Sequence, residues 1–231
     1  MVYQVDSGPV AGSVADSPRA LAIIDTLKSQ PLSKHAFDKL FAAAALLFFA
    51  PFFVLVTVLI LLKDGRPVFF RHERVGRNGR TFGCLKFRTM CNNADEVLKD
   101  VLKRDPDARA EWEATQKLRN DPRISRLGHF LRKSSLDELP QLLNVLRGEM
   151  SIVGPRPVVQ AEAKHYREHF TAYKSVLPGL TGPWQVSGRS DTTYEERVAL
   201  DVRYAYTHTF LGDVRIVLKT VGVVLGQNGA R

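Results

Sequence analysis

From Leu40 to Leu62 the chain reads LFAAAALLFFAPFFVLVTVLILL, 23 residues without a charge. As a straight helix this run is about 35 Å long, enough to cross the hydrocarbon core of a bilayer, and a plain transmembrane helix is the usual meaning of such a stretch. Pro51 stands at its centre. A proline there removes a backbone hydrogen bond and crowds the preceding turn, so a sharp bend at mid-depth is expected. Each half is then about 17 Å and reaches one leaflet. Lys34 and Lys39 precede the run, and Lys63, Arg66, Arg71 and Arg74 follow it. Both ends therefore carry the cations that normally stay on the cytoplasmic side. A re-entrant helix-break-helix that enters, breaks at Pro51 and leaves by the same face satisfies both flanks; a proline-kinked span is the alternative. In either case the chain after Leu62 stays in the cytoplasm.

The rest divides around this run. Residues 1–33 mix Ser, Gly, Pro and Ala without a sustained period and read as a loosely ordered leader; 34–62 is the membrane anchor and 63–231 a cytosolic domain. The cysteines Cys84 and Cys91 are too few for a disulfide framework, and no basic start followed by an apolar run marks a signal peptide. A formal charge of +9 calls for an anionic partner: nucleic acid, a lipid surface or a phosphorylated substrate.

Local patterning predicts a mainly α domain with a small β-hairpin, an α+β class. VFFRHERVGRNGRTFGCLKFR (68–88) alternates around Asn78-Gly79 and reads as a two-stranded hairpin. Ala94 to Lys103 is helical, and Asp105-Pro106 opens a second helix through Trp112. In RISRLGHFLRK (123–133), Ile124, Leu127 and Leu131 share a face among cations, so the segment either lies in the membrane interface or packs on the core. Leu139 to Arg147 is helical with Gly148 as its stop, Val158 to Ser175 is a longer helix, and Thr193 to Glu196 is a capping box. The apolar tail LGDVRIVLKTVGVVLG should dock on the domain or touch lipid.

Within SSLDELPQLLNVLRG (134–148), the carboxylates Asp137 and Glu138 stand side by side. Ser135 to Glu138 spells a capping box, and acids in a first helical turn need no further reason. Pro140 disagrees, since it would fall at the fifth helical position, where its missing N–H costs a hydrogen bond. With the upstream arginines close by, the pair is expected to favour its ionised form, suited to a nucleophile or metal ligand. In SIVGPRP (151–157), Pro155 and Pro157 bracket Arg156 and stiffen the backbone that carries it, as a phosphate clamp requires.

Taken in order, the proline-centred apolar run, VFFRHERVGRNGRTFGCLKFRTM, DPRISRLGHFLRKSSLDELPQLLNVLRGEMSIVGPRP and LPGLTGPWQVSGR resemble the bacterial sugar transferases called monotopic phosphoglycosyl transferases over about residues 34–226. The resemblance implies a ping-pong reaction. A UDP-hexose gives its sugar-1-phosphate to Asp137, UMP leaves, and polyprenyl (undecaprenyl) phosphate takes the sugar phosphate at the cytosolic face of the bacterial inner membrane. It makes Glu138 the second member of an acidic dyad and Mg²⁺ the cofactor, held by Asp137 and Glu138. Lys86 and Arg88 fall on the family's KFRTM motif and Arg156 on its Pro-Arg-Pro segment; these, with Arg123 and Arg189, are expected phosphate or nucleotide contacts. Ala50 departs from the family, which often has serine before the mid-helix proline. GPWQVSGR (182–189) is similar to the version in enzymes that begin exopolysaccharide or O-antigen units with glucose- or galactose-1-phosphate.

A non-catalytic membrane-surface adaptor with a polybasic lipid-binding face is the rival reading; it explains the charge and the anchor and gives the paired acids no role. Nucleic-acid binding rests on charge alone, since no familiar module is present and aromatic residues are not interleaved through the basic stretches.

Overall fold

The computed structural model describes residues 30–115, 117–187 and 192–225. The expected leader through residue 29, Arg189 and residues 226–231 lie outside them. The described chain is mostly helical, with two small two-stranded sheets and one long apolar helix.

That helix, α1 (Leu32–Lys63), continues through Pro51 as one element, so the expected helix-break-helix becomes a single helix. Pro51 lies on its exposed side, where losing one hydrogen bond to an outward carbonyl leaves the inner ladder whole. The inner side is docked along its whole length. Ala42, Ala45 and Leu46, before the proline, pack on a core of Phe82, Cys84, Leu142, Val145, Met150, Ile152, Val153 and Tyr204. Phe52, Phe53, Val56 and Ile60, after it, pack with Phe87, Leu131 and Leu136. Leu40, Leu47, Phe48, Val54, Leu55 and Leu62 on the other side are exposed. Among the described residues this is the one helix long and apolar enough to cross a membrane.

Lys34 is a correction. Instead of flanking the anchor at the lipid surface it is buried, 2.7 Å from Asp213. Its neighbour one turn on, Asp38, accepts from the Ser151 hydroxyl at 2.7 Å and the Ile152 N–H at 3.2 Å. A buried charge is tolerated when paired and hydrogen-bonded, and this network ties the start of α1 to the domain.

The hairpin forms as read, with β1 (Phe69–Val75) antiparallel to β2 (Thr81–Phe87) and Phe70 opposite Lys86, His72 opposite Cys84 and Arg74 opposite Phe82. Asn78 and Gly79 take positive φ in the turn. Next come α2 (Ala94–Arg104), α3 (Pro106–Thr115) and α4 (Arg126–Lys133). The Asp105 carboxylate accepts from the N–H groups of Asp107 and Ala108, as a cap for α3 should. On α4, Leu131 is fully buried and Phe130 exposed, so the helix packs on the core and keeps one aromatic ring outside.

After α5 (Gln141–Leu146), β3 (Ser151–Val153) pairs in parallel with β4 (Gly179–Thr181), a second β element the patterning did not reveal. The helix expected over Val158 to Ser175 is broken into α6 (Ala163–Tyr166) and α7 (Phe170–Ser175), with 3₁₀ turns before and between them. Arg167, at φ +48°, stands at the break. Thr193 and Glu196 close the predicted capping box on α8 (Tyr194–Thr207). The tail forms α9 (Phe210–Leu225) and docks on the domain: Ile216 and Val217 pack on the core, while Phe210, Leu211, Leu218 and Val221 are exposed.

Candidate active site

Asp137 and Glu138 lie on a 3₁₀ turn, Leu136–Glu138, between α4 and α5. The capping-box reading fails here: Ser135 is in the left-handed region at φ +57° and its side chain caps nothing. Pro140 supplies no N–H, so α5 begins only after it, and the acids occupy the tight turn that bridges the two helices.

Lys86 reaches this turn from β2. Its Nζ is 2.6 Å from Glu138 Oε1 and 3.6 Å from Asp137 Oδ2, so one ammonium serves two carboxylates. Asp137 is buried. That burial raises its pKa above the ordinary carboxylate range; Lys86 opposes the shift, Glu138 adds to it, and Arg132 opposes it more weakly. The expected preference for the ionised form is thereby corrected. The cations are present, but removal from water and the neighbouring acid outweigh them.

Asn144, fully buried on α5, fixes the turn against the strand. Its Nδ2 donates to Gly83 O at 2.8 Å and its Oδ1 accepts from Leu85 N–H at 3.0 Å, so a side-chain amide pairs with the free edge of the hairpin next to Lys86. From α4, Arg132 donates to the Thr89 hydroxyl at 2.8 Å and faces Asp137 electrostatically. The approach is close: a Cβ on Gly128 would lie 2.1 Å from Thr89 O, so only glycine lets α4 seat there.

Arg156 is carried as stiffly as its prolines suggested. Gly154 N–H donates to Thr181 O at 2.9 Å, Gly179 N–H donates to Pro155 O at 2.8 Å, and the guanidinium stands 5.4 Å over the Trp184 ring. Cys84 lies two residues before Lys86 on the same face of β2. Burial pushes its thiol up to about 11, and Lys86, Glu138, Arg74 and Arg156 all act on it.

Lys86, Asp137 and Glu138 thus meet directly, while Arg156 stands over Trp184 and acts on the dyad's neighbour Cys84 only electrostatically. Two other expected contacts are engaged elsewhere. Arg88 donates to the carbonyls of Asp64 and Gly65, both at 2.7 Å, and to Asn92, so it holds the end of α1. Arg123 grips Asp121 with Nε and Nη2, at 2.8 and 2.6 Å, and lies over Trp112. Sequence reasoning missed Arg132, Arg74 and Asn144 as site residues. Arg74 could have been found from strand alternation, which puts residues 70, 72 and 74 on the face of their partners 86, 84 and 82. No metal cluster of three or more His, Cys, Asp or Glu exists among the described residues. The paired carboxylates are hard oxygen donors of the kind Mg²⁺ takes.

A family model described as bacterial sugar transferase matches residues 29–227. Exopolysaccharide production protein ExoY of Rhizobium meliloti is 50% identical over 199 residues, covering 86% of this chain and 88% of that protein. The UDP-galactose-lipid carrier transferase of Erwinia amylovora is 51% identical over 197 residues, 85% of this chain and 41% of its own length. The undecaprenyl-phosphate galactose phosphotransferase of Salmonella typhimurium is 47% identical over 203 residues, 88% of this chain and 42% of its own length. The chain spans most of the first relative and about two fifths of the other two.

Proposed function

Because the chain belongs to the bacterial sugar transferase family, we propose that it moves hexose-1-phosphate from a UDP-hexose to polyprenyl phosphate, the first step of an exopolysaccharide repeat. The observation that carries this reading is the dyad itself: two adjacent carboxylates on a tight turn, one buried, with a single lysine ammonium between them. A helix cap would need neither the burial nor the lysine. Galactose is the first candidate sugar, since two of the relatives are named for it.

In this reading an Asp137 oxygen attacks the β-phosphorus of the donor, the bond from that phosphorus to the bridging oxygen breaks, and UMP leaves with the electron pair. An oxygen of polyprenyl phosphate then attacks the phosphorus of the aspartyl phosphosugar, restoring the carboxylate and forming the polyprenyl diphosphate hexose. Lys86 orients the dyad and offsets the negative charge of the incoming diphosphate. Asp137 and Glu138 would hold Mg²⁺, which when bound screens phosphate charge that otherwise repels the attacking carboxylate.

Residues 34–62 serve as a re-entrant anchor in the inner membrane, its return made by a bend at Pro51 within the one helix, and 63–231 as the catalytic domain on its cytosolic face. Docking of both halves of α1 on one domain supports this path: a helix that left through the far leaflet would carry its second half away from the core it packs on. The exposed Phe130, Phe210, Leu211 and Leu218 supply further apolar contact at the interface. Polyprenyl phosphate keeps its tail in the bilayer and its phosphate at that height.

The test is UMP release by detergent-solubilised protein from a panel of UDP-sugars with polyprenyl phosphate and Mg²⁺. Release from one hexose donor, abolished in Asp137→Asn while membrane binding persists, is expected. Normal turnover in that variant would remove Asp137 as nucleophile, and no release from any donor would return the chain to the adaptor reading.

A further inference from the structure

Arg197, the fourth residue of α8, is 7% exposed, yet its Nε and Nη2 have no hydrogen-bond partner among the described residues. Those two atoms form the side edge of the guanidinium, the fork that grips an oxyanion with two parallel bonds. Arg123 shows the same edge filled, closing on both oxygens of Asp121. At Arg197 it is empty. The nearest carboxylate is Glu162, 3.8 Å from Nη1 on the other edge and shared with Arg74 at 3.6 Å. Asp201, one turn along α8, accepts from the Tyr166 hydroxyl at 2.6 Å, and burial pushes its carboxyl up to about 6.

The surroundings are short of negative charge. Arg74, Arg156 and Arg197 gather where Glu162 and Asp201 are the only acids these arginines are seen to act on or pair with among the described residues. Arg156 and Arg197 both lie against Trp184, at 5.4 and 4.9 Å, and Arg197 also against Tyr194 at 5.0 Å, so aromatic rings fix the guanidinium planes. The hairpin links this group to the dyad: Arg74 stands opposite Phe82, and Cys84 and Lys86 follow Phe82 on the same face of β2. A buried arginine held in plane with its fork unfilled, beside two more arginines, lacks an oxyanion.

We propose that the Arg197 fork receives the phosphate of the nucleoside monophosphate leaving group, with Arg156 and Arg74 beside it and Trp184 as the ring that shifts to admit it. The inference rests on the transferase reading above and assigns its second anion seat. As the bond to the bridging oxygen breaks, the new negative charge falls on that leaving phosphate, which two parallel N–H donors at Arg197 then hold.

Full-length protein in detergent is titrated with UMP and with uridine, and donor KM and kcat are measured alongside. Arg197→Gln is expected to weaken UMP binding by about 10- to 100-fold and to raise donor KM, while uridine binding is unchanged, because only phosphate contacts are lost. Arg197→Lys keeps the charge without the fork and should fall between. UMP affinity equal to wild type in folded Arg197→Gln overturns the assignment, as does an equal loss for uridine. Should the Arg197 variants not fold, Trp184 emission in a Trp112→Phe chain decides: UMP changes it and uridine does not, and no response to UMP refutes the proposal. If wild type releases no UMP from any donor, the transferase reading has failed; if it turns over and only these expectations fail, this assignment alone is wrong.

Discussion

Replacing Asn144 with alanine should damage stability and catalysis together, because one buried amide joins the strand of Lys86 to the helix that follows the dyad. The substitution strips the partner from Leu85 N–H and from Gly83 C=O, and frees the Glu149 carboxylate that accepts from Nδ2 at 2.6 Å. Asn144 is wholly buried, so water does not readily replace it. Each stranded backbone group costs about 1–3 kcal/mol, giving roughly 2–6 kcal/mol for the pair, and in a chain of this size a midpoint lower by about 4–24 °C. The catalytic effect comes from geometry. Lys86 and the dyad lie on different elements, and a shift of about 1 Å between them is enough to cost roughly 100-fold in rate. Thermal unfolding in detergent and UMP release measure the two effects. Asn144→Asp keeps the acceptor for Leu85, loses both donors and faces Glu149 with a like charge, so it should do no better than alanine. An Asn144→Ala protein with wild-type midpoint and wild-type turnover would refute the view that this amide sets the distance from Lys86 to the acids.

Burial raises the Asp137 pKa; with Asp137 as the proposed nucleophile, its carboxylate forms only as pH climbs past a value above the ordinary one, and the acid limb of kcat/KM should sit above the usual aspartate range. Lys86 lowers that pKa, so Lys86→Met should move the limb to higher pH as well as slow turnover; an unmoved limb argues against Asp137 as the titrating group. The same shift has a stability sign: the folded state binds the Asp137 proton more tightly than the unfolded chain, so stability falls as pH rises between the two pKa values and stays reduced above them. Asp137→Asn should therefore unfold at the same or a higher temperature than wild type at neutral pH while transferring nothing, and a clearly lower midpoint would contradict the desolvation account. Gly128→Ala places a methyl group against Thr89 O and should cost about 1–3 kcal/mol with reduced turnover, read by the same two assays; wild-type behaviour would mean that α4 has room to move.

What the sequence discloses depends on whether the deciding contact is local. The hairpin and the Thr193–Glu196 box were legible because alternation, Asn78-Gly79 and a cap three residues from its partner act within a few positions. Ser135 to Glu138 has the same spelling and a different structure, since the left-handed Ser135 and the proline at 140 override it. The three arginines Arg88, Arg123 and Arg156 look alike in their motifs. Only the fold sends the first to helix carbonyls, the second to Asp121 and the third to Trp184. The meeting of Lys86 with residues 51 and 52 positions away came through family resemblance, because no periodicity reports a pairing at that separation.

The fate of Arg88 bears on how such a site keeps its height at a membrane. Helix ends leave carbonyls without partners, and at the end of α1 two of them, from Asp64 and Gly65, are taken by Arg88, two residues beyond Lys86 and just past the end of β2. Phe87, between them, is buried against Phe53, Val56 and Ile60 of α1. Three consecutive residues therefore do three connected things: Lys86 holds the dyad, Phe87 packs on the apolar helix, and Arg88 closes its end. With α1 as the proposed anchor, its depth is transmitted to the dyad through three residues at one strand end rather than through a flexible linker, which would keep the acids level with a lipid phosphate that has no freedom to come to them.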